Sequence, residues 1–159
     1  MDQIVVGVAD CATGDTPTQV LTTYALGSCI ALAVYDPVSR VGGLVHYMLP
    51  DSAMEGVRRS NPCVFADTAI PLLLERVVGR GAEVRRLRTY AAGGARMIGA
   101  EPVFEIGRRN AQALLRELSR AGLSLEKEAV GGAVSRNLRL TIGTGTVRIW
   151  ESGRPGHGD

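Results

Sequence analysis

The chain has 159 residues, the size of one ordinary folded domain. Its composition is 45% hydrophobic and 21% charged, which is typical of a globular protein and excludes a disordered one. The net charge is only +2, and no aromatic platform accompanies the arginine pairs, so the sequence argues against a nucleic-acid-binding protein.

The sequence also gives no sign of a membrane or secreted protein. No apolar run approaches the roughly 18 residues that a membrane-spanning helix needs, and residues 1–4 lack the start of a signal peptide. The three cysteines then predict free thiols in a reducing compartment, the cytoplasm. Neither the cysteines nor the two histidines have metal-ligand spacing, so we expect no metal site.

The first half of the chain predicts strands separated by turns. Apolar runs indicate strands over residues 4–9, 21–24, 29–35 and 41–49, with loops over 10–18 and 50–62. We expect one turn at Gly27, which interrupts an apolar run. A second is expected at residues 36–39, because Asp bonds its own backbone and Pro presets φ.

The second half predicts two helices among further strands. The first helix covers residues 68–78, with Thr68 as its N-cap, and the second covers 108–120 and ends at Gly122. Strands are expected over residues 84–92, 125–130, 138–142 and 147–150. We therefore predict a single α+β domain over residues 1–152, with helices packed on a mixed sheet, and a disordered Gly/Pro-rich tail over 153–159.

The predicted hairpin between the third and fourth strands brings Cys29 close to His46. If its turn is centred between Pro37 and Val38, Cys29 and His46 lie directly opposite each other, with Cβ atoms roughly 5 Å apart. The face that carries the pair has small side chains, so we expect open space above it. The opposite face is bulky and apolar, and we assign it to the core.

This pairing suggests nucleophilic chemistry. A thiol is a nucleophile only as thiolate, and a neighbouring imidazolium would lower the pKa of the thiol and could return a proton to a leaving group. Backbone N–H groups at Gly27, Ser28 and Cys29 could stabilise an oxyanion. From these residues alone, an inert core cysteine and a structural histidine are the more ordinary interpretation. Cys11, Cys63 and His157 lack such a pairing.

Blocks along the whole chain occur in the order found in one known family. The most specific are Leu26-Gly27-Ser28-Cys29 and the downstream His46-Tyr47-Met48-Leu49-Pro50. The others are Tyr35-Asp36-Pro37, Gly42-Gly43, Ala66-Asp67-Thr68-Ala69-Ile70, Gly93-Gly94-Ala95 with Met97, Ile106-Gly107 with Arg109-Asn110, and Gly131-Gly132 with Arg136. With these blocks the chain, from about Val5 to Val147, resembles the CheD family of chemoreceptor glutamine deamidases.

The resemblance implies an enzyme without a cofactor that deamidates glutamines on the cytoplasmic helices of methyl-accepting chemotaxis receptors, through a cysteine thioester. It places the nucleophile on Cys29, the base on His46 and a third catalytic residue on Thr23 rather than Thr22. The implied fold is a mixed β-sandwich flanked by helices, similar to the catalytic domain of the cytotoxic necrotising toxins. A CheC-type phosphatase is an implied partner, and nothing in the sequence demands more than a monomer. The same chemistry would also hydrolyse a glutamyl methyl ester.

Two other functions stay open at this point. A receptor- or phosphatase-docking module with little catalysis is favoured by residues 129–133, where Ala129 and Ala133 replace polar residues of the family's D-x-G-G-N. Residues 98–105 also match the family loosely. A papain-like protease is a weaker option, because those enzymes place their histidine far downstream and carry a Cys-Trp motif that is absent here.

Overall fold

The computed structural model describes residues 1–54, 60–97 and 105–153. Most of these residues form nine strands and two α-helices. In chain order they are β1 (Asp2–Val5), β2 (Asp10–Gly14), β3 (Gln19–Leu26), β4 (Ile30–Asp36), β5 (Val41–Tyr47), α1 (Ala66–Gly79), β6 (Arg88–Gly93), α2 (Ile106–Arg120), β7 (Lys127–Val130), β8 (Arg136–Thr141) and β9 (Thr146–Glu151).

The strands form two mixed sheets. The first has four strands in the order β1-β3-β8-β9, and the second has five in the order β2-β5-β4-β6-β7. Each sheet combines antiparallel pairs with one parallel pair, β1 with β3 and β6 with β7. The α+β class predicted from the sequence is thereby confirmed. None of the described helices is long and apolar enough to cross a membrane.

Both faces of the central hairpin β4–β5 are buried. Its bulky face packs against the helices, where Leu73 and Leu114 join the same apolar cluster as Leu32. Its small face, which includes Ala31, packs against the four-stranded sheet. The expectation of open space above the small face is therefore wrong, because large side chains from the opposite sheet fill it.

The register of this hairpin also differs from the prediction. Ala31, not Cys29, lies opposite His46, because the loop has four residues, 37–40, with Arg40 at a left-handed φ of 58°. The predicted turn was two residues too short, and Cys29 precedes the first residue of β4. A shift of two positions leaves every side chain on its predicted face. Cys29 and His46 therefore share a face, one diagonal step apart.

Several predicted element bounds need correction. Polar residues 10–14 form the edge strand β2 instead of a loop, because they pair with β5. Helix α1 begins before Thr68, whose hydroxyl donates to the carbonyls of Pro62 and Phe65. Strand β6 begins at Arg88, later than the predicted residue 84, because Val84–Arg86 forms a 3-10 turn. The predictions for residues 55–59, 98–104 and 154–159, including most of the tail, lie outside the described residues.

Asp36 fixes the turn that sets the hairpin register. Its buried carboxylate accepts hydrogen bonds from the N–H groups of Val38 and Glu83 at 2.9 Å, and Arg86 forms an ion pair with it at 2.8 Å. Burial alone would raise the pKa of Asp36, but these bonds hold it well below its usual range. The ionised carboxylate therefore stabilises the fold wherever the pH is above the unfolded-state value.

We expect Asp36→Ala to lower the free energy of unfolding by about 2–3 kcal/mol, since the turn loses a buried acceptor of several bonds. Urea unfolding near neutral pH measures this change. Asp15→Ala is the matched control, because the Asp15–Arg80 ion pair is largely exposed and its loss should cost less than about 1 kcal/mol. Equal losses for the two variants would show that Asp36 has no special role in the turn.

Candidate active site

A hydrogen bond between Thr23 and His46 joins the two sheets. Thr23 lies on β3 and His46 on β5, and the Thr23 Oγ1 to His46 Nδ1 distance is 2.8 Å. Both side chains are almost completely buried, with exposures of 0% and 1%. This bond fixes the plane of the imidazole ring inside the sandwich.

A third group determines which ring nitrogen carries the proton. The Thr23 hydroxyl also lies 2.6 Å from the backbone carbonyl of Val6, which can only accept. The single hydroxyl hydrogen therefore goes to Val6, and Thr23 accepts from an Nδ1–H of His46. In neutral histidine this leaves Nε2 as an unprotonated acceptor. Nε2 has no hydrogen-bond partner among the described residues.

The structure distinguishes Thr23 from its neighbour Thr22. The Thr22 hydroxyl is also buried, yet it has no hydrogen-bond partner in the described part of the chain. Directly after Thr23, a β-bulge interrupts the pairing of β3 with β8. Ala25 adopts a φ of 58° there, and its N–H donates to Asn137 at 2.9 Å. The bulge ends the strand geometry just before the bend at Gly27.

Cys29 lies at the end of that bend and is only partly buried. The carbonyl of Cys29 accepts from Gly94 N–H, and the carbonyl of Gly27 accepts from Ala95 N–H, each at 2.8 Å. Gly93 has a φ of 112°, and a Cβ atom there would overlap the Cys29 carbonyl oxygen. The glycine pair at the end of β6 thus allows two backbone segments to approach closely and hold the cysteine in place.

Other motifs surround the same bend. The N–H of Gly131 donates to the carbonyl of Gly93 at 2.9 Å, and the Arg136 guanidinium donates to the carbonyl of Gly131 at 2.7 Å. Asn110 on α2 donates to the carbonyl of Ser28 at 2.9 Å. Sequence reasoning assigned no contact to the Asn110 side chain or to the Val6 carbonyl, because neither contact follows from spacing along the chain.

The electrostatics favour an uncharged Cys29–His46 pair at rest. Burial raises the pKa of the Cys29 thiol, with a smaller opposing effect from its own backbone N–H. Burial lowers the pKa of the His46 imidazole to about 4. Near neutral pH the thiol is therefore protonated and the imidazole is neutral. The sequence had suggested an imidazolium that lowers the thiol pKa, and the burial of both groups argues against that ion pair.

The two remaining cysteines lie away from this site. Cys11 and Cys63 belong to the cluster between the five-stranded sheet and the helices, on the opposite face of the sheet from His46. Arg76 donates to the Cys11 sulfur at 2.9 Å. Among residues 1–54, 60–97 and 105–153, no group of three or more His, Cys, Asp or Glu side chains could hold a metal ion.

Comparison with known proteins identifies the family. Residues 48–151 match the model of the family described as CheD chemotactic sensory transduction. The chain belongs to the CheD family. Its curated CheD relatives include proteins called probable chemoreceptor glutamine deamidase CheD in three distant organisms. The relative in Solibacter usitatus is 56% identical over 97% of this chain and 92% of its own length.

More distant CheD relatives also match over nearly their whole length. The one in Symbiobacterium thermophilum is 43% identical over 96% of this chain and 94% of its own length. The one in Pyrococcus horikoshii is 40% identical over 94% of this chain and 92% of its own length. A solved structure, the hypothetical protein YfiH of Bacillus licheniformis, is similar with a TM-score of 0.44 and 13% identity, over 78% of this chain and 51% of that one. That likeness is too weak to bear on the function.

The buried neutral histidine should make stability depend on pH. Because its folded pKa of about 4 lies below the unfolded value of about 6.5, only the unfolded chain binds a proton between these values. We expect the free energy of unfolding to fall by about 2 kcal/mol between about pH 7 and about pH 5 on account of His46. Urea unfolding of the protein and of His46→Gln at both pH values isolates this contribution. An unchanged pH dependence in His46→Gln would contradict it.

Proposed function

We propose that Cys29, His46 and Thr23 together form the catalytic group of a glutamine deamidase. Membership of the CheD family makes chemoreceptor glutamine deamidation the activity of this chain, and the proposal concerns how its residues carry it out. The observation that supports it most is the Val6–Thr23–His46 chain of hydrogen bonds, which leaves Nε2 free as a base on the face that Cys29 shares.

The first half of the reaction forms a thioester. His46 Nε2 takes the thiol proton while the Cys29 sulfur attacks the carbon of the glutamine carboxamide. The carbonyl oxygen becomes an oxyanion, and the new imidazolium then gives its proton to the amide nitrogen. The C–N bond breaks, ammonia leaves, and the acyl group remains on the sulfur.

The second half regenerates the enzyme. Water attacks the thioester carbon while His46 takes one of its protons, and a second oxyanion forms. Its collapse breaks the C–S bond and releases glutamate, and the imidazolium returns a proton to the sulfur. Backbone N–H groups of the Gly27-Ser28-Cys29 bend would stabilise both oxyanions. The sequence of steps starts and ends with the neutral pair that burial favours.

The surroundings of the bend suit a macromolecular substrate. Cys29 is only partly buried and Met48, two residues after His46, is 38% exposed, so a receptor helix would lie along a shallow surface. We propose that the protein acts in the cytoplasm as a monomeric single domain and that a CheC-type phosphatase can also bind it. A fold relationship with the cytotoxic necrotising toxins and hydrolysis of glutamyl methyl esters belong to the same proposal.

We expect Cys29→Ala to abolish deamidation, because the nucleophile is removed. The assay is mass spectrometry of a chemoreceptor cytoplasmic fragment in water enriched in oxygen-18, which marks each new glutamate. Cys63→Ala is the matched control, since it removes a buried thiol from the other face of the sheet, and its rate should stay within about threefold of the parent. Persistent conversion by Cys29→Ala would exclude the thioester route. No conversion by the parent, with its thiol reduced, would favour the docking-module alternative.

We expect Thr23→Val to lower kcat by about 100-fold, because Nδ1–H loses its acceptor and the ring loses its fixed tautomer. Thr22→Val removes a buried hydroxyl that has no partner in the described structure, so its kcat should stay within about threefold of the parent. The two variants have the same chemical change one residue apart. Equal effects on kcat would contradict the role of Thr23.

A further inference from the structure

Each carbonyl group of the bend that carries Cys29 accepts a hydrogen bond. Backbone N–H groups of Ala95 and Gly94 bind the carbonyls of Gly27 and Cys29. The carbonyl between them, that of Ser28, accepts from a side chain instead, the Nδ2 of Asn110 at 2.9 Å. Asn110 is therefore the side chain that holds the peptide linking Ser28 to Cys29.

The orientation of this peptide determines where the Cys29 N–H points. In a planar trans peptide the C=O and N–H bonds point in opposite directions. The bond from α2 draws the Ser28 oxygen toward the helix, so the Cys29 N–H is directed away from it. This N–H and the attacking sulfur belong to the same residue, so an oxyanion formed by attack of the sulfur lies close to the N–H. An oxyanion formed there would find the donor already in place.

Asn110 also binds the strand that carries the base. Its Nδ2 donates to the carbonyl of Met48 at 2.8 Å, two residues after His46. The Tyr47 hydroxyl also donates to the backbone carbonyl of Asn110 at 2.8 Å. The two hydrogens of one amide group thus join the segment of the nucleophile to the segment of the base.

Stability alone does not account for an asparagine at this position. Its side chain is fully buried on the apolar face of α2, yet its Oδ1 has no hydrogen-bond partner among the described residues. A buried acceptor without a partner lowers the stability of the fold. The amide is useful here for its two donors, and both are directed at the bend and at the end of β5.

We infer that Asn110 is a positioning residue of the deamidase reaction, which holds the Ser28–Cys29 peptide so that the Cys29 N–H faces the developing oxyanion. This inference rests on the proposed role of Cys29 as nucleophile. It adds a residue on α2, far along the chain from the thiol and the imidazole, whose effect is on stabilisation of the oxyanion and not on the reactivity of the thiol.

The test separates stabilisation of the oxyanion from reactivity of the thiol. Asn110→Asp has the same shape but lacks both donors when ionised, and Asn110→Ala lacks them entirely. For both we expect kcat for receptor deamidation to fall about 100- to 1000-fold with KM within about threefold. Alkylation of Cys29 by iodoacetamide needs the thiol but forms no oxyanion, so its rate should stay within about threefold in variants that lack Cys11 and Cys63.

Leu114→Ala is the control for lost stability. Leu114 is buried one turn further along α2, and its truncation destabilises the fold without touching the bend. We expect its kcat to remain within about threefold of the parent at a temperature where all variants are folded. Urea unfolding of each variant allows kcat to be compared at matched stability.

A further readout comes from pH. Protonation of the carboxyl in Asn110→Asp restores one donor, so its activity relative to the parent should rise as the pH falls from about 8 to about 6. The inference is overturned if the Asn110 variants lose no more kcat than Leu114→Ala, or if alkylation and deamidation fall together. Activity in Cys29→Ala would instead overturn the proposed nucleophile, so the two failures are distinguishable.

Discussion

The arrangement of this site depends on one hydrogen-bond chain that crosses the sandwich. The carbonyl of Val6 holds the Thr23 hydroxyl, and Thr23 holds the imidazole of His46. Because the carbonyl cannot donate, the donor and the acceptor of both hydrogen bonds are determined. A histidine buried without a charged partner stays neutral, which is the state a general base needs before it accepts a proton. Thus a fold in which two sheets meet at Thr23 and His46 specifies both the position and the protonation of the imidazole.

The proposed nucleophile is held by different means. Cys29 has no strand partner of its own among the described pairings, since it precedes β4, and the bend depends on contacts from three other segments. Gly94 and Ala95, directly after β6, supply backbone donors at close range, the loop at Gly131 binds the carbonyl of Gly93, and α2 supplies Asn110. Gly107 at the start of α2 has no room for a Cβ atom against the carbonyl of Ala95. Residues scattered along the chain therefore converge on one bend.

The sequence predicted the faces of the central hairpin better than its register. Face assignment depends only on alternation, and the error of two positions preserved it. The register depended on the length of the turn, which Asp36 and the left-handed Arg40 set through contacts that alternation does not report. Strand β2 was missed because its polar residues pair only through tertiary contacts. The Val6 and Asn110 contacts were equally invisible, since each joins a backbone carbonyl to a side chain distant in sequence.

The tautomer of His46 is the most direct test of this account. Nitrogen-15 NMR of the histidine rings, with His46→Gln to assign the signals, measures the protonation of Nδ1 and Nε2 separately. We expect a neutral ring at neutral pH with the proton on Nδ1, and this state should persist well below the ordinary histidine pKa of about 6.5. A proton on Nε2, or an imidazolium at neutral pH, would contradict the role of the Val6–Thr23–His46 chain and remove the base from the proposed mechanism.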